Sequence, residues 1–359
     1  GCELRVANYG LRVTGCEFTT LKLFSSLQII MVFNSKKCLL TIFKRLLILI
    51  PALFFLLFAP INSYAAEERF HDHRDGTITD RFSGLMWSKN ADPAAGPFNW
   101  SQALDAVSGL NSKKYCGYQD WRLPNVNELA SLVDRSVYAP ALPRGHPFLN
   151  IKVWYWTGTT TADYRNHAWR IYFFLGNIDY GHKYHMLNYV WPVRTIDGLP
   201  DKLPKTGQII SYYSGDDGAL RTGRYLPEKR FYDHGNGTVT DCVSGLMWTK
   251  NANLPLGKMN QYDAINFVAN LNAKKYCGYN NWRLPEVNEL KSLVDYGKTD
   301  PVLPDSHPFL KITSGIYWSS EPNIQVPAYS WCVDMKNSRV DYYNKNHHQL
   351  YVWPIRRAN

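Results

Sequence analysis

Catalytic signatures, metal-binding motifs and long apolar runs are all scarce in this 359-residue sequence. It has no C-x-x-C pair, the spacing that redox and zinc centres commonly use. It has no G-x-S-x-G turn, which argues against a hydrolase with a nucleophile elbow. The acidic turns around Asp75 and Asn236 lack the ligand run and the closing glutamate of an EF-hand. We therefore predict no catalytic residues, no metal and no cofactor.

A long membrane span is also lacking, because the longest apolar run, residues 46–60, has only fifteen residues. It follows Met31 and a basic stretch, and the small residues Ser63 and Ala65 come soon after it. This order is typical of a secretory signal peptide, so we predict a signal over residues 31–66 and an over-extended start over residues 1–30. The mature protein is then secreted to the periplasm, cell surface or medium and has no membrane span.

A stripe of Lys and Arg is missing as well. Residues 1–65 carry seven Lys or Arg and two Asp or Glu, so the net charge falls from +10 to +5 without them. This mild surplus does not indicate a nucleic-acid partner. It leaves room for a weak preference for acidic polymers.

The dominant feature that is present is an internal repeat. Residues 69–91 match residues 230–252, and Trp121–Asp134 differs from Trp282–Asp295 at only two of fourteen positions. The offset is 161 residues at first and 162 later. The pattern predicts two copies of one domain, over residues 67–196 and 230–359.

Residues 197–229, here called the connector, join the two copies. They combine Pro, Gly and charge with the stretch IISYY before SGDDG. We predict an ordered linker with one hairpin.

The sequence pattern of each copy predicts an α+β fold. Apolar residues at helical spacing predict one helix from Trp100 and a second after Trp-Arg-Leu-Pro, with Pro124 in its first turn. Short β segments open each copy, and the second half is rich in β-forming residues. We predict two helices and a twisted antiparallel sheet in each copy.

The combined motifs DGTxTDxxxGLMW, WRLPxxxEL, YWS/T and the closing VWPVR or VWPIR resemble those of the Lcl C-terminal-like domains, a secreted bacterial family named for a collagen-like adhesin. The resemblance covers nearly all of residues 69–195 and 207–357. It implies a C-type-lectin-like fold and binding of glycans at a surface rather than catalysis. Many members close with a cysteine where Pro192 and Pro354 stand here. Their disulfide therefore does not carry over.

The Trp-Arg-Leu-Pro motif has two competing interpretations. Its Arg and the following Glu could form a catalytic or ligand-binding pair, but no nucleophile accompanies them in both copies. A turn that precedes a helix explains the same residues. We assign structural roles to Trp121, Arg122, Glu128, Trp282, Arg283 and Glu289.

The cysteines favour one disulfide. Cys116 and Cys277 are equivalent, yet the first copy has no second cysteine for a matching bond. Cys242 and Cys332 occur only in the second copy, and export permits a bond between them. We predict that disulfide.

The segments that differ most between the copies are the late loops, which are rich in Tyr, Asn, His, Lys and Arg. Such a composition offers stacking area and adaptable hydrogen bonds. The predicted ligand contacts are Tyr164, Arg165, Asn166, His182, Lys183, Tyr184, Asn323, Tyr342, Tyr343, Asn344, Lys345 and His347. The triplet Glu321-Pro322-Asn323 is similar to a calcium-dependent sugar motif, but Thr159-Thr160-Thr161 replaces it in the first copy.

The leading hypothesis is a secreted, non-catalytic protein that binds glycans, acidic ones included. A protein-interaction module of an envelope assembly or a diversified C-type-lectin-like receptor is the alternative. An enzyme related to the formylglycine-generating group is a third, since it shares the Trp-Arg-Leu-Pro stretch. It would need a reactive cysteine pair or a metal site.

Overall fold

The computed structural model describes residues 2–6, 9–13, 69–305 and 307–358. The chain divides into two compact units, residues 1–61 and 62–359. In the first unit, strands β1 (Cys2–Val6) and β2 (Tyr9–Val13) form an antiparallel hairpin. The predicted signal peptide lies outside the described residues and stays a prediction.

The second unit contains two repeats with the same order of elements. In repeat 1 these are β3 (Phe70–Asp72), β4 (Thr77–Asp80), β5 (Leu85–Ser88), α1 (Trp100–Ser112), α2 (Val126–Ser131), β6 (Trp154–Thr160), β7 (His167–Tyr172), β8 (Asn177–His182) and β9 (Val193–Thr195). After α3 (Asp217–Leu220) in the connector, repeat 2 has β10 (Phe231–Asp233), β11 (Thr238–Asp241), β12 (Leu246–Thr249), α4 (Gln261–Ala273), α5 (Val287–Ser292), β13 (Ile316–Pro322), β14 (Tyr329–Asp334), β15 (Val340–Asn344) and β16 (Ile355–Arg357). The predicted α+β class and the tandem duplication are confirmed.

A four-stranded antiparallel sheet holds the two ends of each repeat together. Its order is β3-β4-β5-β9 in repeat 1 and β10-β11-β12-β16 in repeat 2. The turn between the first two strands needs glycine, because Gly76 has a φ of 93°. The Asp75 carboxylate accepts from the backbone N–H of Thr77, which fixes the turn. The closing strand then completes the sheet beside the third strand.

The helices begin where capping residues stand. Asn99 caps α1 and accepts from the N–H of Gln102, and Asn125 caps α2 in the same way through Glu128. Helix α1 buries one face against the sheet residues of repeat 1. Pro124 precedes the cap of α2, so the prediction that it lies in the first turn is wrong by two positions.

The remaining strands of both repeats form one six-stranded sheet of order β13-β14-β15-β8-β7-β6. Strands β8 and β15 meet at its centre and run antiparallel, with Ile178 opposite Val340. These two residues are equivalent in the repeats, so a pseudo-twofold axis passes between them. The sequence predicted a sheet for each repeat and did not indicate that the two would join.

Side chains across this junction make reciprocal contacts. The amide of Asn177 donates to the Asp341 carboxylate at 2.9 Å, and Arg339 pairs with Asp179 at 2.9 Å between Nε and Oδ1. Asn177 is equivalent to Arg339, and Asp179 is equivalent to Asp341. The same surface of each repeat therefore binds its counterpart, as in an isologous dimer.

A second reciprocal contact differs in chemistry between the two sides. The guanidinium of Arg135 lies 5.1 Å from the ring centre of Trp331, whereas Tyr296 packs edge-on at 5.3 Å from Trp169. Arg135 and Tyr296 are equivalent, as are the two tryptophans. All four side chains are buried, so one core extends through both repeats.

The connector does not form the predicted hairpin. Residues 197–229 contain no strand, only the one-turn helix α3 and a bridge between Pro204 and Arg224. The Asp216 carboxylate accepts from the N–H groups of Ala219 and Tyr212, at 2.8 and 2.7 Å. A carboxylate in this position caps a helical turn, which the sequence SGDDG therefore favours over a β-turn.

Candidate functional site

The Trp-Arg-Leu-Pro motif builds the start of a helix. Arg122 donates through both terminal nitrogens to Glu128, at 2.6 and 2.8 Å, and Glu128 also accepts from the N–H of Asn125. Trp121 is buried, and its indole N–H donates to the carbonyl of Tyr115. Bidentate pairing of this kind satisfies both charges in the interior. The pair has little surface left for a substrate.

Repeat 2 has the same arrangement with more exposure. Arg283 donates to Glu289 at 2.7 Å, and Trp282 is buried. The Arg283 side chain is 39% exposed, against 9% for Arg122.

The predicted disulfide is not formed, because Cys242 and Cys332 are both free. Cys332 lies on β14 with 1% exposure, in the cluster packed beneath α4. Cys242 follows β11 and faces solvent at the outer sheet, beside Tyr232 and His234. Burial raises the pKa of the Cys332 thiol well above its usual value.

The late loops of repeat 1 form an exposed aromatic patch, here called the repeat-1 loop surface (residues 161–167 and 182–187). Tyr164 and Tyr184 are 55% and 63% exposed. Arg165 and Asn166, which follow Tyr164 in the same loop, are also exposed. The structure therefore gives these four predicted contacts access to a ligand.

Three histidines contact one another on this surface. The rings of His182 and His185 stack at 4.3 Å, and His167 packs edge-on against His182 at 5.1 Å. Desolvation, followed by the two neighbouring imidazoles, lowers the pKa of His182. No group of His, Cys, Asp and Glu in the described parts of the chain has the arrangement of a metal site. The trio is a polar, aromatic platform.

Repeat 2 presents the corresponding loops (residues 323–329 and 344–349, the repeat-2 loop surface) with fewer exposed rings. Tyr342 packs edge-on against Trp331, and Tyr343 packs against His348. Asn344 accepts from the N–H of His347 and shapes the turn. The predicted contact Lys345 is partly exposed beside it, and His347 is exposed.

The two loop surfaces lie at opposite ends of the shared sheet. One loop follows β8 and the other follows β15, and these strands run antiparallel as neighbours. The structure therefore does not bring the two predicted halves of a ligand site together. Each repeat presents its own surface.

Two predicted ligand contacts are wrong, because their side chains are buried. Lys183 is 5% exposed and donates to Thr160 at 2.7 Å, with its ammonium 3.8 Å from the ring centre of Trp100. Burial lowers the pKa of Lys183 to about 8. Asn323 is 1% exposed, and its side-chain oxygen accepts from the N–H groups of Gln325 and Val326.

A further surface was missed by sequence reasoning, and the connector covers it on repeat 1. Thr159 and Thr206 both donate to one oxygen of Asp217, at 2.8 and 2.6 Å. Asp217 is 4% exposed, and burial raises its pKa to about 6. We call the surface beneath the connector the connector seat. It comprises Asn125, Asn127, Thr159 and Thr160 of repeat 1 and residues 295–297 of repeat 2.

The corresponding surface on the other side of the pseudo-twofold axis is a groove of about 490 Å³. We call it the open groove, and it is lined by Arg69, Val133, Asp134, Arg135, Ser136, Pro143, Glu286, Asn288, Glu321, Pro322 and Ile324. One sequence difference between the repeats points to this groove. Asn125 and Glu286 are one of only two pairs that differ within the fourteen-residue motif.

Membrane-spanning character is not found in the described part of the chain, where no helix is both long and apolar enough to cross a bilayer. The family model of the Lcl C-terminal domain matches residues 76–194 and again residues 237–356. No curated protein matches the chain significantly. The two matched ranges coincide with the two structural repeats.

Proposed function

Since the chain belongs to the Lcl C-terminal domain family through both of its repeats, we propose that it is a secreted, non-catalytic binding protein of the adhesin type. Its ligands are extracellular or periplasmic glycans, acidic polysaccharides among them. We assign each repeat a C-type-lectin-like fold. This is supported by the two helices and by the closing strand that pairs beside the opening hairpin.

The repeat-1 loop surface carries this proposal. Tyr164 and Tyr184 expose their rings at the same end of the sheet, and His182 lies between them in ring contact with Tyr184. Exposed tyrosines offer an apolar face for a sugar ring and a hydroxyl for its polar edge. Arg165 adds a planar cation that suits a carboxylate or a sulfate. Its side chains are more polar than those that usually pack into a protein core.

The opposite placement of the two loop surfaces supports engagement of two ligand segments at once. A long polysaccharide, or two neighbouring chains, could contact both ends of the shared sheet. Linked sites strengthen attachment without new contacts when both can bind together. The poorer aromatic content of the repeat-2 loop surface makes repeat 1 the stronger site.

A glycan array that includes heparin tests the proposal directly. With the full chain, we expect Tyr184→Ala to weaken binding roughly tenfold or more, because a stacking face is lost. Arg165→Ala should weaken the binding of acidic ligands only. Tyr225→Ala is the matched control, since this tyrosine is 80% exposed and lies in the connector. Absence of glycan binding by a protein with a native circular dichroism spectrum would contradict the proposal.

Binding of a protein partner is the second candidate function, and a different feature favours it. The open groove lies at the junction of the repeats, where residues of both repeats line it, and it shares Ile324 with the repeat-2 loop surface.

A further inference from the structure

The connector seat and the open groove are two versions of one surface, related by the pseudo-twofold axis. The equivalence is position by position: Asn125 with Glu286, Asn127 with Asn288, Thr159 with Glu321, Thr160 with Pro322, and residues 295–297 with residues 134–136. The first version holds two stretches of the connector, residues 204–208 and residues 217–222. It therefore shows how this surface binds a peptide.

In the connector seat, some hydrogen bonds are made to the peptide backbone and others to its side chains. Asn127 donates to the carbonyl of Pro204 at 3.1 Å, and the N–H of Tyr296 donates to the carbonyl of Thr206 at 2.7 Å. Gly207 packs so closely on Asp295 that a Cβ there would clash. Thr159 donates to the Asp217 carboxylate, and the N–H of Thr160 donates to the side-chain oxygen of Gln208.

The open groove keeps the groups that donate hydrogen bonds to the main chain of a bound peptide. Asn288 stands where Asn127 stands, and the N–H of Arg135 corresponds to that of Tyr296. No described residue accepts from either donor. The Arg135 side chain is 7% exposed and lines the groove, and its Nε also has no hydrogen-bond partner among the described residues. A buried donor without a partner favours a ligand that brings an acceptor.

The groups that would contact the side chains of an occupant have the opposite hydrogen-bonding character in the open groove. Glu321 replaces Thr159, and Glu286 replaces Asn125, so two donors become carboxylates. One Glu321 oxygen accepts from the N–H of Val287 and preserves the helix start, as Thr159 does for Val126. The backbone donor of Thr160, which binds Gln208, is lost at Pro322. The two carboxylates disfavour an acidic occupant, and Pro322 removes one backbone donor.

Arg135 and Lys291 both interact electrostatically with Glu321, so they offset part of this acidity. Arg69 is paired with Asp80 at 2.8 Å, and Arg135 donates to the carbonyl of Gly176 while it lies over Trp331. Glu286 forms no ion pair with a described residue. Glu286 is exposed, and the second oxygen of Glu321 accepts no hydrogen bond from a described residue, so both can accept from a cationic group.

We propose that the open groove binds a peptide segment of a partner protein. The carbonyls of its main chain accept from Asn288 and Arg135, and a Lys or Arg side chain pairs with Glu321. This goes beyond glycan binding and uses a different surface from the repeat-1 loop surface. The chain's own connector is a poor occupant, because Asp217 would face Glu321 at close range, and like charges there repel.

Two labelled peptides test the proposal by fluorescence anisotropy with the full chain. One has the sequence of residues 203–222, and the other carries Asp217→Lys in that sequence. The tethered connector keeps the peptides out of its own seat, because an intramolecular segment competes at high effective concentration. We expect the Lys peptide to bind at least about tenfold more tightly than the Asp peptide.

Glu321→Thr restores the hydroxyl that the connector seat has at this position, and it should reverse the preference between the peptides. Glu228→Thr removes an exposed connector carboxylate and should leave the preference unchanged. Should Glu321→Thr misfold, Glu321→Gln keeps the acceptor for Val287 and should abolish the preference. Failure of the Lys peptide to bind, or a preference that is unchanged in the folded Glu321 variants, would overturn the proposal. Glycan binding at the repeat-1 loop surface uses none of the groove residues, so the two proposals fail separately.

Discussion

At the scale of single residues, duplication allows one ion pair to be compared with itself. Arg122–Glu128 and Arg283–Glu289 have the same bidentate geometry, but the exposures of their side chains are 9% and 2% against 39% and 16%. The difference has a visible cause, because Thr222 of the connector donates to Glu128 at 3.3 Å and covers that side. Burial makes the loss of one partner far more costly, since an unpaired charge is left in the interior.

We therefore predict unequal effects for one substitution made in two places. Glu128→Ala should lower the free energy of unfolding by about 3–5 kcal/mol. Glu289→Ala should lower it by about 1 kcal/mol, because solvent screens the remaining arginine. Urea denaturation followed by tryptophan fluorescence measures both. Equal losses would show that burial by the connector has no part in the stability of the pair.

At the scale of elements, the connector was the hardest segment to predict. The helix of Trp100 and the repeated order of strands follow from apolar spacing and caps that are local in sequence. The helical turn at Asp217 depends on which nearby N–H groups the Asp216 carboxylate reaches, and SGDDG is equally suited to a β-turn. The burial of Lys183 beneath Tyr212 of the connector could not be read from spacing at all.

The docked connector predicts a pH dependence of stability. Burial disfavours the charge of Asp217 and raises its pKa in the folded chain from 3.8 to about 6. Between about pH 4 and pH 6 the folded state therefore holds a proton that the unfolded state has lost. The free energy of unfolding should fall as the pH rises through this window, by about 3 kcal/mol from this group.

Asp217→Asn should remove that dependence, since the amide oxygen still accepts from Thr159 and Thr206. The variant should match the parent near pH 4 and be more stable at pH 7. Asp305→Asn, at a side chain 84% exposed, is the control and should change neither value. Thermal melts across pH 4–7 decide the matter, and a parent-like slope in Asp217→Asn would contradict the assignment.

At the scale of the whole molecule, two copies of one domain behave like the subunits of a fused dimer. The motif's two differing pairs, Asn125 with Glu286 and Ala130 with Lys291, both lie where this symmetry is broken. Glu286 lines the open groove. Burial, and then Arg135 across the junction, lower the pKa of Lys291 to about 7. Sequence comparison can reveal such differences, but only the pairing of β8 with β15 shows that they face one junction.

The junction should make the two repeats unfold together. Ile178 and Val340 are fully buried at the centre of the shared sheet, so a carboxylate at either position enters the interior unpaired. We expect one calorimetric transition for the parent and two for the double variant Ile178→Asp/Val340→Asp, because each repeat keeps its own four-stranded sheet and helices. Leu199→Asp, at an exposed connector position, should keep the single transition. Two transitions in the parent would mean that the shared sheet contributes little coupling, and the comparison with a fused dimer would then fail.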